Sequence, residues 1–239
     1  MDKPELPPIA VIIPAAGQGT RLGGQTKKQF RLLAGKPLLV HTLEQVLAAP
    51  EVRWLVVAVP EANLDETHDM ISAILPPAVE LHMTVGGTTR QRSVANALLE
   101  VPAEAQIVTV HDADRPCLDP AWITRTAELC RTYDGAIVAV PAVDTLKEVD
   151  LEAGGQGGIV KGTLARKVIW LAQTPQTFRA SVFRGAMAHA EESGLTGTDE
   201  CRLVEAIGGR VAVVRGSTKN IKVTSLEDWD FLEWRLTHA

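Results

Sequence analysis

Short apolar runs alternate with amphipathic stretches along the chain. Ile9–Ile13 is apolar at every position and stops at Pro14, the pattern of a buried strand. Between Pro37 and Ala49, Leu39, Leu43, Val46 and Leu47 recur at the spacing of one helical face. The same reading predicts strands at Trp54–Val59, Leu81–Val85, Ile107–His111 and Ala136–Val140, with helices at Asn63–Leu75, Thr89–Val101 and Pro120–Tyr133 between and after them. A helix at Ala180–Ser193, another from about Thr198 and a strand at Val211–Val214 continue the series. A last helix opens on Ser225-Leu226-Glu227-Asp228, a capping-box start, and Leu226, Trp229, Leu232 and Leu236 form its predicted apolar face. Continuous apolar strands separated by helices predict an α/β fold with a doubly wound, mostly parallel, Rossmann-like sheet.

The alternation fails between Val143 and Val168. This stretch mixes charges with Gly154-Gly155-Gln156-Gly157-Gly158 and carries neither period. Its composition reads as a surface loop, but its length, about 25 residues, points to a functional segment. With no internal repeat and no domain-scale linker, residues 1–239 read as a single domain with this segment, at about 143–168, inserted.

Composition narrows the class. At 46% hydrophobic and 22% charged residues, the chain has the balance of a globular protein. No apolar run approaches the ~18 residues of a membrane span. The start, MDKPELPP, has no signal-like apolar stretch. Cys117, Cys130 and Cys201 are widely spaced, which argues against a disulfide framework or a zinc site and fits a reducing cytoplasm. A net charge of −5 argues against nucleic-acid binding. Yet from Glu5 to Glu44 no acidic residue intervenes, while Arg21, Lys27, Lys28, Arg31 and Lys36 all fall there. An acidic chain with one wholly basic segment predicts a localised anion site.

Two motifs sharpen that expectation. Pro14-Ala15-Ala16-Gly17-Gln18-Gly19-Thr20-Arg21-Leu22-Gly23 follows the first strand directly. Its glycines allow a tight backbone turn whose N–H groups can face phosphate oxygens. The spacing does not match a dinucleotide fingerprint, because the third glycine comes one position late and no acidic residue stands about 20 positions on. No Walker A loop is present either. A glycine-rich loop carrying Arg21, then Lys28, suits a triphosphate whose charge grows in the transition state. The second motif, His111-Asp112-Ala113-Asp114-Arg115-Pro116, stands at the carboxyl end of a predicted strand. Asp112 there is the candidate to hold Mg²⁺ against substrate phosphates, with Asp114 second. The competing reading has Asp112 capping a turn and Asp114 pairing with Arg115. His111 reads as structural, and Thr198-Asp199-Glu200 as a helix start with acidic first-turn residues.

These motifs stand in one order with Lys28-Gln29-Phe30, Gly86-Gly87-x-x-Arg90-x-Arg92-Ser93, Gln173-Thr174-Pro175-Gln176-x-Phe178, Thr198-Asp199-Glu200 and Asn220-Ile221-Lys222-Val223-Thr224. Together, from about Ile9 to Leu232, they resemble the 2-C-methyl-D-erythritol 4-phosphate cytidylyltransferases. The resemblance implies transfer of CMP from CTP to methylerythritol 4-phosphate by in-line attack at the α-phosphorus. It implies catalytic roles for Arg21, Lys28, Arg166 and Lys222. It assigns nucleotide contacts to Ala15, Ala16, Gly17, Gly19, Gly87, Arg90, Ser93 and Asp112. Acceptor contacts fall to Thr145, Arg166, Lys222 and Arg115, and the metal to Asp112. It also implies that the 143–168 segment is an arm reaching into a neighbouring subunit, hence a homodimer with shared sites. The chain departs from the pattern at Lys27, Thr88, Asp114 and Lys219. Alternatives are a ribitol 5-phosphate cytidylyltransferase, a sugar-1-phosphate nucleotidyltransferase or a non-catalytic nucleotide-binding protein.

Overall fold

Ile9–Pro14, designated β1, is apolar on both faces because it is covered on both. Ile9, Val11 and Ile13 point into one core while Ala10 and Ile12 point into another. The computed structural model describes residues 5–17, 27–152, 155 and 157–238. After β1 come β2 (Leu32–Leu33), β3 (Lys36–Pro37), α1 (Leu38–Leu47), β4 (Val52–Val59), α2 (Leu64–Ser72), β5 (Glu80–Val85), α3 (Arg90–Leu99) and β6 (Ile107–Val110). The chain continues through α4 (Ala121–Leu129), β7 (Gly135–Pro141), β8 (Lys147–Leu151), β9 (Gly158–Thr163), β10 (Trp170–Arg179), α5 (Ala180–Ser193), α6 (Glu200–Ala206), β11 (Val211–Arg215) and α7 (Leu226–Thr237).

Seven strands form the central sheet in the order β11-β7-β10-β6-β1-β4-β5. All neighbours are parallel except at β10, which runs antiparallel to both β6 and β7. One face is covered by α1, α2 and α4 through Leu39, Leu43, Ile71 and Ile123. The other is covered by α3, α5 and α6 through Val94, Phe183, Met187 and Leu203. The sheet is thus the mostly parallel, doubly wound α/β arrangement that the apolar pattern predicts. A smaller core of Leu33, Leu38, Val223, Trp229 and Leu232 ties α7 to the β2–β3 hairpin. The Ser225–Asp228 capping box is present, so the predicted start of α7 is found.

The structure departs from the apolar pattern in three places. The hydrophobic pattern does not reveal β10, because its central residues Gln173, Thr174 and Gln176 are polar yet buried. Its ladder breaks between Ala172 and Gln176, where Pro175 has no N–H to donate. The 143–168 stretch contains an antiparallel hairpin, β8–β9, rather than an unstructured loop. Both its strands are exposed along nearly their whole length, so neither shows an inward–outward alternation. Leu226 is exposed and lies off the α7 face that buries Trp229 and Leu232.

Candidate active site

From β1 the chain winds outward through β4 and β5, then returns to place β6 on the other side of β1. The carboxyl ends of β1 and β6 therefore flank a switch point, where open α/β sheets bind ligands. Pro14–Gly17 leaves β1 there and Asp112–Asp114 leaves β6. Gln29, itself buried, fixes the first loop by donating to the Ala15 carbonyl (2.5 Å) and the Gly17 carbonyl (3.3 Å). The turn after β5 closes against the same loop. A Cβ on Gly86 would lie 2.1 Å from the Ala16 Cβ, so only glycine permits this approach. Ser93 accepts from the Gly87 N–H (3.0 Å) and donates to the Thr89 carbonyl (2.9 Å), while Thr89 caps α3. Ala15, Ala16, Gly17, Gly87, Arg90, Ser93, Asp112, Lys28 and Lys222 all line one pocket of about 390 Å³.

The floor of this pocket is an ion network centred on Asp112. Its Oδ1 accepts from Arg90, and its Oδ2 accepts from Lys222 Nζ (3.0 Å) and Arg115 Nε (3.3 Å). Burial alone would raise the carboxyl, but these three cations hold it far below the usual carboxylate range. Arg90 also forms a two-pronged pair with Glu200, at 2.6 and 3.0 Å. Burial pushes the Glu200 carboxyl above its ordinary value against the pull of Arg90. Glu200 is the first-turn acid of α6 that the sequence predicts, and it does more. Asp199 is the actual cap, accepting from the Arg202 N–H, and Glu200 anchors Arg90 from 110 residues away. No local pattern in sequence carries that pairing.

Lys28 Nζ donates to Asp114 Oδ2 and to the Val223 carbonyl, each at 2.5 Å. The partner of Asp114 is therefore Lys28, whereas Arg115 turns to Asp112 and to the Asn220 carbonyl (2.8 Å). Asn220 is fully buried and bonds Gln173 and the Thr174 carbonyl, which fixes the segment carrying Lys222. A larger groove of about 1210 Å³, lined by Arg131, Arg179 and Arg184, lies away from these residues. Arg179 and Arg184 there donate to main-chain carbonyls of Cys130, Arg131, Leu98 and Val101, a role in holding the fold rather than in chemistry.

His111 has no exposed surface. One ring nitrogen meets the Thr174 hydroxyl (3.0 Å) and the other the Arg115 carbonyl (3.1 Å), in keeping with the structural role read from sequence. Burial pushes its imidazole down from the ordinary 6.5 to about 4. The unfolded chain takes up this proton as pH falls through 6.5, whereas the native protein does so only near 4. The stabilisation is therefore complete above pH 6.5 and is lost between there and pH 4, amounting to about 3 kcal/mol. Urea unfolding in chelator-treated buffer should show this acid loss in the wild type and a flatter profile in His111→Gln. Coincident profiles would remove His111 as its source.

Arg21 and Gly19 lie outside the described residues. Thr145 and Arg166 are exposed on the segment around β8–β9 and do not line the pocket; Arg166 donates to the Val143 carbonyl. Cys117, Cys130 and Cys201 are free thiols. Among the described residues no group of three or more His, Cys, Asp or Glu side chains could enclose a metal ion, and no helix is long and apolar enough to cross a membrane.

A family model described as 2-C-methyl-D-erythritol 4-phosphate cytidylyltransferase matches residues 9–238. The 2-C-methyl-D-erythritol 4-phosphate cytidylyltransferase of Geotalea uraniireducens is 42% identical over 222 residues, covering 92% of this chain and 93% of its own. That of Acidobacterium capsulatum is 42% identical, with 95% and 97% covered. Among solved structures, the Francisella tularensis cytidylyltransferase superposes with a TM-score of 0.78 at 34% identity, covering 95% of this chain and 99% of that one. The 4-diphosphocytidyl-2C-methyl-D-erythritol synthase of Anaerococcus prevotii gives a TM-score of 0.82 at 26% identity, with 97% and 99% covered.

Proposed function

The chain belongs to the 2-C-methyl-D-erythritol 4-phosphate cytidylyltransferase family, and from that premise we propose how its residues divide the work of the reaction. The reaction is transfer of CMP from CTP to 2-C-methyl-D-erythritol 4-phosphate with release of pyrophosphate, a nucleotidyl transfer of the non-mevalonate isoprenoid pathway. The observation that carries the assignment of the site is the cluster of Lys28, Lys222 and Arg90 on one pocket, at the switch point between β1 and β6.

In this reading, Ala15, Ala16, Gly17 and Gly19 of the first loop, with Gly87 and Ser93, receive the cytosine and ribose. The close approach of Gly86 to Ala16 supports it, because it brings the turn after β5 against the first loop at the pocket. Arg90 and Asp112 form the charged floor. A phosphate oxygen of the acceptor attacks the α-phosphorus, the bond to the bridging oxygen of pyrophosphate breaks, and no proton need be removed from an ionised phosphate. Lys28, Lys222 and Arg21 neutralise charge as it builds on the α-phosphoryl oxygens. Arg115 stays beneath the pocket and orients Asp112. Residues 1–239 act as one nucleotidyltransferase domain with the 143–168 arm inserted, and the unbroken central sheet supports this.

Mg²⁺ is the proposed divalent cofactor. Asp112, whose carboxylate the surrounding cations keep ionised on the pocket floor, would hold it. One carboxylate is enough for an ion that takes its remaining ligands from phosphates and water. When bound, the ion supplies charge neutralisation on the triphosphate. Thr145 and Arg166 are proposed to serve the acceptor site of a second subunit, giving a homodimer through the arm. Their absence from the pocket lining of their own chain supports this, as does the exposed apolar surface of Leu151, Ile159, Val160 and Val168. The free cysteines support a reducing, cytoplasmic setting.

Pyrophosphate release with CTP and Mg²⁺ should occur with methylerythritol 4-phosphate and be negligible with ribitol 5-phosphate or no acceptor. Preference for ribitol 5-phosphate would overturn the acceptor, and CTP binding without release would favour a non-catalytic binder.

A further inference from the structure

We propose that Asp114 is a positioning residue that holds the Lys28 ammonium at the pocket wall in the free enzyme and fixes its direction for turnover. Lys28 lies just beyond the glycine-rich loop in sequence, on a short 3₁₀ turn, Lys28–Phe30, with no side-chain cap. A lysine stem has four rotatable carbons, and the turn alone does not aim its head. Two acceptors 86 and 195 residues away supply that aim, Asp114 Oδ2 and the Val223 carbonyl, each 2.5 Å from Nζ. The side chains of Lys28 and Asp114 are only 12% and 14% exposed, so the pair is largely desolvated and stronger than a surface contact.

The surroundings make Asp114 the adjustable partner. Val223 is fully buried and belongs to the core beneath α7, so its carbonyl is a fixed point. The Asp114 main-chain carbonyl instead accepts from the Val223 N–H (2.9 Å) while its carboxylate reaches Lys28. The 114 and 223 segments are thereby clamped together on both sides of the lysine head. Lys222 Nζ lies 4.0 Å from Asp114 Oδ1 and 3.0 Å from Asp112 Oδ2. Two lysines and two carboxylates thus alternate across the pocket floor. A triphosphate entering this array meets two opposed effects of Asp114: its charge repels the nucleotide, and its bond holds Lys28 where the nucleotide needs it. An incoming phosphate oxygen can take the place of Asp114 Oδ2 at one N–H of the ammonium while the Val223 carbonyl keeps another.

This opposition separates Asp114 from a residue that merely supports the fold. The inference rests on the cytidylyl-transfer reading for its kinetic part, and the acylation readout is independent of that reading. The first readout is lysine acylation of the free protein followed by peptide mass spectrometry. Asp114→Ala should speed acylation of Lys28 several-fold, whereas Lys36, held by Glu44, should react as before. The second is steady-state kinetics and CTP calorimetry. Loss of one charged anchor should lower kcat about tenfold. Removal of a negative charge facing the triphosphate should tighten CTP binding about two- to fivefold. In a Lys28→Ala background the Asp114→Ala change should leave kcat nearly unaltered, because the group it positions is gone.

Unchanged acylation of Lys28 would overturn the proposal whatever the enzyme does with CTP. Faster acylation with an unaltered kcat would also overturn it, since Lys28 would then need no aiming. Weakened CTP binding together with a large fall in melting temperature would reassign Asp114 to folding; Asp114→Asn, which keeps shape and hydrogen bonding, would then have to match the wild type in stability while still losing kcat. Inactivity of the wild type with every acceptor would defeat the cytidylyl-transfer reading, and the acylation result would still decide the role of Asp114.

Discussion

Lys222→Ala lowers kcat for CMP transfer by about 10²- to 10³-fold, the cost typical of removing one preorganised group from developing charge. The expected fold is intact, and the network shows why. Lys222 is about one-third exposed, facing the pocket, and it contributes one of three cations around Asp112. Without it, Arg90 and Arg115 still compensate the buried carboxylate. The backbone around position 222 is held independently, by Asn220 from below and by Val223 in the α7 core. The loss should therefore fall on turnover and leave the melting temperature within a few degrees of wild type. Steady-state kinetics and thermal unfolding on the same preparation check both halves. A kcat near the wild-type value would remove Lys222 from the transition state, and a collapse of stability would make it a structural cation.

Glu200→Ala has the opposite signature, with stability as the larger loss. Glu200 is 2% exposed, and its only basic partner among the described residues is Arg90, which it grips with both oxygens. Its removal takes away two charge-assisted hydrogen bonds and leaves Arg90 with one carboxylate instead of two, at a cost of about 2–3 kcal/mol. Arg90 would then rest on Asp112 alone and shift toward it, altering the pocket floor. Glu200→Gln should cost less, because burial already opposes ionisation of this carboxyl and the amide can keep a hydrogen bond to Arg90. Urea unfolding of the two variants should place Gln between Ala and the wild type. Equal stability of Glu200→Ala and wild type would show that the pair contributes no net stability.

The contrast between these two residues marks what could be read from sequence. Lys222 stands in a compact motif, Asn220-Ile221-Lys222-Val223-Thr224, whose order relative to the other motifs carries its role. Glu200 stands in an equally compact motif, but its function depends on a partner across the chain, and the local pattern offers helix initiation as a sufficient explanation. The fold shows the same division. Strands such as Ile9–Pro14 and Val52–Val59 are legible because apolar residues cover every inward position. β10 is not, because Gln173, Thr174 and Gln176 enter the interior with hydrogen-bond partners already waiting. β8 and β9 are invisible for the converse reason, since no described residue of their own chain covers them. The pairing of Asp114 with Lys28 rather than with adjacent Arg115 likewise depends on how the β6 loop turns, which spacing does not encode.

The chain departs for the β8–β9 hairpin and comes back at nearly the same place. Trp170 pairs with Pro141, and the Ala142 N–H donates to the Ile169 carbonyl at 3.0 Å, so the exit and the return are stitched together at the sheet. An excursion closed so tightly at its base adds little to the entropy of folding the rest, because lengthening a closed loop costs only about 0.6 kcal/mol per doubling. In evolutionary terms the hairpin is a tolerant appendage: insertions, deletions and changes of its exposed apolar residues can accumulate there without being screened by the stability of the central sheet.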